Sequence, residues 1–280
     1  MSIAGGYYKA AEAAAKAGME TFQCFTKNNN QWKAKDISDE EARLFRQAVR
    51  DGKLKRPTAH DCYLINLASP DPALYRKSIE AFVVEVQRAE KLGLDYLVMH
   101  PGSCVDDSEE HGLERIIRAI DETHRRCPGF RVRILLETTA GQGSSLGYRF
   151  EHLARILEGT AESDRLGVCL DTCHVFAAGY PLAPEKEYRA TMRTFDQVIG
   201  LHRLCAFHLN DSARPFASRV DRHAHIGKGY LGLEPFRLLV NDRRFRRHPM
   251  ILETPKEDGR KKDMDSVNLR VLRRLVKSSR

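Results

Sequence analysis

Six short apolar runs in this 280-residue chain each end on a side chain that binds metals well. They are RPTAH ending at His60, YLVMH at His100, RILLE at Glu137, GVCLD at Asp171, CAFH at His208 and MILE at Glu253. The gaps between these residues are 40, 37, 34, 37 and 45. One strand with its crossover helix and loops takes roughly 30 residues in a barrel of eight βα units, the whole running to about 250. The spacing therefore predicts that the six stand where successive parallel strands give way to turns, on the rim where such barrels keep their chemistry. A lone histidine at a strand end is commonly a hydrogen-bonded structural residue. Six ligand-type residues at matching strand ends are not, because independent structural roles have no reason to share one rim.

Two local patterns extend the set. In DTCH, Asp171 and His174 are three apart at a strand-to-turn junction, close enough to serve one site or two adjacent ones. In DRH, Asp221 and His223 are two apart, the separation at which an extended segment points both side chains the same way. The candidates become His60, His100, Glu137, Asp171, His174, His208, Asp221, His223 and Glu253. Five imidazoles and four carboxylates suit zinc, and also manganese or iron, better than calcium or magnesium. Nine ligands exceed the needs of one ion, since a catalytic zinc commonly takes three protein ligands and keeps a position open. Three ions with one bridging carboxylate fit the count, and adjacent ions clamp the attacking and leaving oxygens of a phosphoester. His225 continues the alternation after DRH but is left out of the set. Cys169 and Cys173, which flank Asp171, read as packed cysteines rather than thiolate ligands.

The elements that must position these residues follow a βα alternation. Strand-like segments end near Phe25, His60, His100, Glu137, Asp171, His208 and Glu253, with amphipathic helical segments between them. The helix after the KNNNQWKAKDIS loop has Ser38 or Asp39 as its cap and Glu41 close behind. A long loop from Ser212 to Gly232 carries DRHAH, and a basic helix from Asp263 to Lys277 closes the chain. Seven strands are one short of the eight that close an α/β ring of this kind, the TIM (β/α)8 barrel. The missing strand is expected before Ser2, leaving a barrel that lacks its first strand or has it truncated. With no linker or low-complexity stretch, residues 1–280 read as one domain.

Bulk properties narrow the class. Mean hydropathy is −0.48. The sequence has no apolar run of the roughly 18 residues a membrane span needs, and no basic segment ahead of an apolar stretch. Seven scattered cysteines imply reduced thiols and a cytoplasmic setting. The net charge of +8 suits a polyanionic partner, though by itself it speaks only to solubility and association.

The strings HDCYLINLASP, HPGS, ETTAGQGSSLG, GVCLDTCHVFAAGY, HLNDS, SRVDRHAHIGKG and ILETP resemble those of the endonuclease IV (deoxyribonuclease IV) family, zinc-dependent apurinic/apyrimidinic endonucleases. The likeness runs from about Ser2 to Pro255, and GVCLDTCH and SRVDRH are its most specific parts. It implies a TIM barrel holding three zinc ions. His60, His100 and Glu137 would hold the first ion. Glu137 would bridge to a second, held also by Asp171, His208 and Glu253, while His174, Asp221 and His223 would hold the third. Glu137 and Glu253 would be catalytic, Tyr63 and Leu64 would wedge into DNA, and the partner would be duplex DNA containing abasic sites. The resemblance also implies a monomer whose activity is cytoplasmic and nucleoid-associated. The chain departs from the family in two places. The family's first strand is absent ahead of Met1, and Asn30 stands where the family usually inserts an arginine. The same barrel also serves metal-dependent sugar isomerases and epimerases, which need one or two ions and gain nothing from DRH on a long loop. A DNA-binding protein without catalysis would have no need of nine intact ligands.

Overall fold

The structure is a computed structural model that describes residues 1–256 and 263–277. Seven strands form one parallel sheet: β1 (Gln23–Phe25), β2 (Thr58–His60), β3 (Tyr96–Met99), β4 (Arg133–Glu137), β5 (Leu166–Asp171), β6 (Leu204–His208) and, last in the chain, β9 (Met250–Ile251). Each pairs with the next in that order. A two-stranded antiparallel ribbon, β7 (Asp211–Ser212) with β8 (His223–Ala224), lies within the long loop after β6. Nine α-helices are described: α1 (Tyr7–Lys16), α2 (Asp39–Asp51), α3 (Pro72–Leu92), α4 (Glu109–Arg126), α5 (Phe150–Gly159), α6 (Thr172–Ala178), α7 (Glu185–Val198), α8 (Glu234–Val240) and α9 (Met264–Leu275). This is the expected α/β TIM-barrel architecture with seven strands. Among the described residues, β1 and β9 do not pair with each other, and the ring is open there. Met1 lies along β1 at that opening, its amine donating to the Gln23 carbonyl, and Met1 and Ile3 pack against the core.

Local chemistry explains where the helices begin and end. Ser38 caps α2, its Oγ accepting from Glu41 N at 3.2 Å while Glu41 Oε2 accepts from Ser38 N at 2.9 Å. That reciprocal box satisfies two amides that a helix start would otherwise leave unpaired. Asp71 caps α3 ahead of Pro72, and Gly93 ends it at φ 75°, a left-handed conformation that costs glycine nothing. The sequence reading differs from the structure at DTCH. Asp171 ends β5 and at once caps α6, accepting from His174 N at 2.9 Å, so the strand passes directly into a helix rather than into a turn.

Two buried clusters sit on the two faces of the sheet. The larger runs from Ala10 to Leu272 and lies between strands and helices. The smaller is Tyr96, Val98, Leu135, Cys169, Cys205 and Ala206. Val98, Leu135, Cys169 and Ala206 each stand two residues before a ligand-type residue: His100, Glu137, Asp171 and His208. Strand side chains alternate with period two, so each inner residue lies directly beneath the polar side chain on the same face. A closely packed inner layer thus forms the floor of the polar cluster. Small residues are needed there; a Cβ on Gly167 would sit 2.6 Å from Cys205 Sγ.

Candidate metal centre

Parallel pairing brings the strand ends together. Asp171 pairs in register with His208, and His208 with Ile251, two residues before Glu253. β3 and β9 end one and two residues short of His100 and Glu253, which therefore stand on the turns just beyond. At the centre is Glu137, with no solvent exposure. Its Oε2 lies 3.1 Å from His60 Nε2 and 3.4 Å from His100 Nε2. Its Oε1 lies 2.8 Å from His208 Nδ1 and 3.3 Å from His174 Nδ1. One carboxylate touches four imidazoles.

The nine side chains stand close together at this rim, and the donor atoms of Asp171, His174 and His223 form one tight group. His60, His100 and Glu137 present donor atoms within 4.8 Å of one another, as do Glu137, Asp171, His208 and Glu253. The third set is also together: His174 Nε2 is 3.2 Å from Asp221 Oδ2, His223 Nε2 is 3.4 Å from Asp221 Oδ1, and the two Nε2 atoms are 3.4 Å apart. Asp171 Oδ2 lies 3.7 Å from His223 Nε2, so this carboxylate faces both the second and third sets. Cys173 also approaches Asp221 and His223. Burial, reinforced by Asp171, pushes its thiol up to about 12, which disfavours the thiolate a metal requires. All seven cysteines are buried and unpaired, as the sequence suggested.

Four of the five imidazoles are aimed by an oxygen behind them. His60 Nδ1 donates to the Asp61 carbonyl at 3.0 Å, and His174 Nδ1 to the Thr138 carbonyl at 2.8 Å. His223 Nδ1 donates to the Glu253 carbonyl at 3.2 Å, and His208 Nε2 to Gln23 Oε1 at 2.9 Å. Tying one ring nitrogen fixes the tautomer and leaves the other as a lone pair facing inward, the arrangement a metal-binding histidine uses. Asn210, fully buried, donates to Asp171 Oδ2 at 2.6 Å and accepts from Glu253 N at 2.9 Å. Gln23 Nε2 donates to Glu253 Oε1 at 2.6 Å. His225 turns away from the cluster towards α9, its Nδ1 meeting Asn268 Nδ2 at 3.1 Å.

These donors fit a set of metal ions. Without cations, the buried carboxylates and the imidazole nitrogens that face them pair only by holding protons. Burial opposes charge on His60, yet hydrogen bonds to Asp61 and Glu137 keep its pKa well above the ordinary imidazole value. His174 is likewise raised against burial, by Asp171 and Asp221, and His208 by Cys169, Glu137 and Glu253. Burial also opposes charge on Glu253 and Asp221. His208 nevertheless holds Glu253 down at about 2, and His174 holds Asp221 at about 2.

Beside the cluster a cavity of about 390 Å³ is lined by Asp61, Tyr63, His100, Ser103, Gln142 and Asp221, among others. Tyr63 is 55% exposed, its ring 5.4 Å from Phe25 and 5.5 Å from His60. Leu64 is half-buried against the core, and Asn30 is exposed on the first loop. Cys62 ties the two loops together, its Sγ donating to the carbonyls of Asn29 at 3.0 Å and Gln31 at 3.7 Å. Asn30 and Tyr63 thus rise from adjoining loops.

Residues 11–275 match the family described as Xylose isomerase-like TIM barrel. The probable endonuclease 4 of Citrifermentans bemidjiense is 49% identical over 276 residues, covering 99% of this chain and 97% of that protein. The chain belongs to the endonuclease IV family. The crystal structure of endonuclease IV from Thermus thermophilus superposes with a TM-score of 0.85 at 35% identity, covering 98% of this chain and 96% of that one. A D-psicose 3-epimerase matches with a TM-score of 0.68 at 16% identity, covering 96% of this chain and 91% of that one; this likeness is of fold alone.

In this endonuclease IV-family chain, the sequence reading missed Gln23, Asp61, Thr138 and Asn210. Three of them adjoin a ligand-type residue or follow it by two positions, as in HD, ET and HLN, which is the only sequence signal they carry. The charge balance gives a testable pH dependence. Imidazoles raised above an unfolded value near 6.5 contribute stability that is complete below that pH and lost as pH rises through their folded values. Carboxylates depressed to about 2 contribute stability that is complete above roughly pH 4.5 and lost as pH falls towards 2. The metal-free chain should therefore melt highest between about pH 4.5 and 6.5. Added zinc should shift that optimum above neutrality, because metal needs the neutral imidazole. Thermal midpoints across pH, with chelator and with zinc, check this; a chelated chain that gains stability from pH 6 to 8 overturns it.

Proposed function

We propose that this enzyme hydrolyses the phosphodiester 5′ to an abasic site in duplex DNA, leaving a 3′-hydroxyl and a 5′-deoxyribose phosphate, with three zinc ions in its site. Membership of the endonuclease IV family makes it a metal-dependent nuclease. The convergence of nine ligand-type side chains around one buried carboxylate, Glu137, carries the finer reading. His60, His100 and Glu137 would hold one ion. Glu137, Asp171, His208 and Glu253 would hold a second, and His174, Asp221 and His223 a third. When bound, zinc supplies an acidified water near neutral pH and positive charge against the phosphate oxygens.

The chain's own residues do the rest. Glu137 and Glu253 both meet His208 Nδ1 and would orient the attacking water by accepting its hydrogen bonds. Gln23 and Asn210 hold Glu253 from its two ends, fixing the carboxylate before substrate arrives. The cavity gives room for a nucleotide turned out of the helix, a rotation that costs least where a base is already missing. Tyr63 and Leu64 would fill the space vacated in the stack, as apolar wedges do in kinked DNA. Asn30 would meet the same lesion without a cation. The protein would act as a monomer, in the cytoplasm where its DNA lies. Among the described residues, no helix is long and apolar enough to cross a membrane.

The direct test is nicking of a duplex carrying one abasic site, with end-group analysis of the products. Elemental analysis should find close to three ions per chain, mostly zinc; full activity with a single ion would sink the trinuclear assignment. Glu253→Gln should abolish nicking yet leave binding of abasic duplex within a few-fold, because the wedge and the first and third ligand sets are untouched. Near-normal turnover in that variant removes Glu253 from the chemistry. Asn30→Arg should tighten abasic-duplex binding, roughly 2- to 10-fold for one added phosphate contact, with an unchanged thermal midpoint. Unchanged affinity would mean that this loop does not meet DNA.

A further inference from the structure

The positive charge of this chain is not where the proposed chemistry would place it. Among the described residues, the segments that leave the strands towards the metal-ligand rim (26–38, 61–71, 100–108, 137–149, 171–184, 209–233 and 252–256) carry nine lysines and arginines against ten carboxylates. The segments that enter the strands from the other end (17–22, 52–57, 93–95, 128–133, 160–165, 199–203 and 241–249) carry eleven against five, a surplus of six in a chain of net charge +8. Parallel strands put all the entering segments on one rim, and lateral bonds join several of them: Lys55 N to the Glu20 carbonyl at 2.8 Å, Asp95 N to that of Pro57 at 3.0 Å, and Arg133 N to that of Asp95 at 3.0 Å. Arg203, Arg165 and Arg244 have carboxylate partners in Asp164, Glu162 and Asp242. Lys53, Lys55, Arg56, Arg243, Arg246 and Arg247 are exposed and form no ion pair among the described residues.

Helix C-termini also reach this rim, and their carbonyls account for cations within a last turn. Arg243, Arg246 and Arg247 lie beyond the end of α8 at Val240 and before β9, so that account does not cover them. His248 Nε2 donates to the Leu204 carbonyl at 2.9 Å, which ties the 241–249 segment to the start of β6 on the same rim. A cluster of guanidinium and ammonium groups on one face, without carboxylate partners among the described residues, matches a regular array of phosphates.

We propose that the N-terminal rim is a second docking face, for the phosphate backbone of a duplex DNA segment other than the one at the metal-ligand rim. This rests on the reading of the opposite rim as a DNA site. The strands separating the two rims are at most six residues long, about 20 Å, and the rims face opposite ways. One straight duplex cannot engage both, so the protein would bridge two segments and pass between them while searching for lesions. Recognition here is electrostatic and independent of sequence.

The test uses undamaged duplex, so it is independent of abasic cleavage. At concentrations where sedimentation shows a single copy, the wild-type chain should retain a fluorescent undamaged duplex on beads bearing a second one. The exposed triple variant R243Q/R246Q/R247Q should lose this bridging. Its slope of log binding constant against log salt should fall by about three, at roughly 0.9 per phosphate contact. Its thermal midpoint and its turnover of a short abasic duplex should stay unchanged. A wild-type monomer that does not bridge overturns the proposal. So does a variant of native stability that bridges normally, or one whose short-duplex turnover falls together with bridging. Intact bridging without any nicking would instead refute the proposed reaction and leave this face standing.

Discussion

Glu137 is the constraint on which the rest of the rim depends. A carboxylate with no solvent exposure, in contact with His60, His100, His174 and His208, must be neutralised by what surrounds it. An isolated buried carboxylate costs several kcal/mol even after relaxation. Protons on imidazoles or divalent cations both meet that demand, and they exclude one another at each nitrogen. The site therefore exchanges charge rather than accumulating it. The same residues would therefore stabilise the metal-free chain in mild acid and would need neutrality to hold metal.

The barrel serves that constraint from beneath. Val98, Leu135, Cys169 and Ala206 form a packed layer two residues below His100, Glu137, Asp171 and His208, so these side chains stand on a close-packed floor. Above, the supports are polar and each acts on one atom. Gln23 reaches from β1 to hold both His208 and Glu253, and Asn210 couples Asp171 to the backbone at Glu253. These bonds bring β1 into contact with the β6 and β9 side of the ring, although β1 and β9 do not pair. Side-chain bonds at the rim thus join the two edges of the sheet where the backbone ladder does not.

Family membership and geometry carry different parts of the functional reading. Identity near 50% across almost the whole length fixes the family, whereas the epimerase likeness at 16% shows how far one barrel travels between chemistries. The third cluster on this chain is built from α6 and from β8 and the loop before it. His174 comes from the first turn of a helix that Asp171 caps, and His223 from a short ribbon that β7 anchors. A capping residue is here also a candidate ligand, so α6 cannot form without placing His174 near Asp171. Opposite this rim, the sheet's entry loops hold most of the net charge. The two ends of the barrel are thus different surfaces, one with cations and carboxylates nearly balanced and one with a cationic surplus.

The periodic part of this protein was legible in its sequence. Strand ends and ligand-type residues coincide because a βα unit has a nearly fixed length, so His60, His100, Glu137, Asp171, His208 and Glu253 could be placed on one rim from spacing alone. Resemblance to the family then grouped the nine residues into three sets, which no spacing rule does. Only the tertiary structure decided three further matters. Which nitrogen of each imidazole faces inward depends on an oxygen brought from elsewhere in the chain, such as Gln23 behind His208, 185 residues away. The helix at α6 follows from Asp171 being free to cap it, which depends on where β5 ends. The segregation of charge between rims is invisible along the chain, where basic and acidic residues are interspersed. It emerges because parallel strands send every entering segment to one end and every leaving segment to the other.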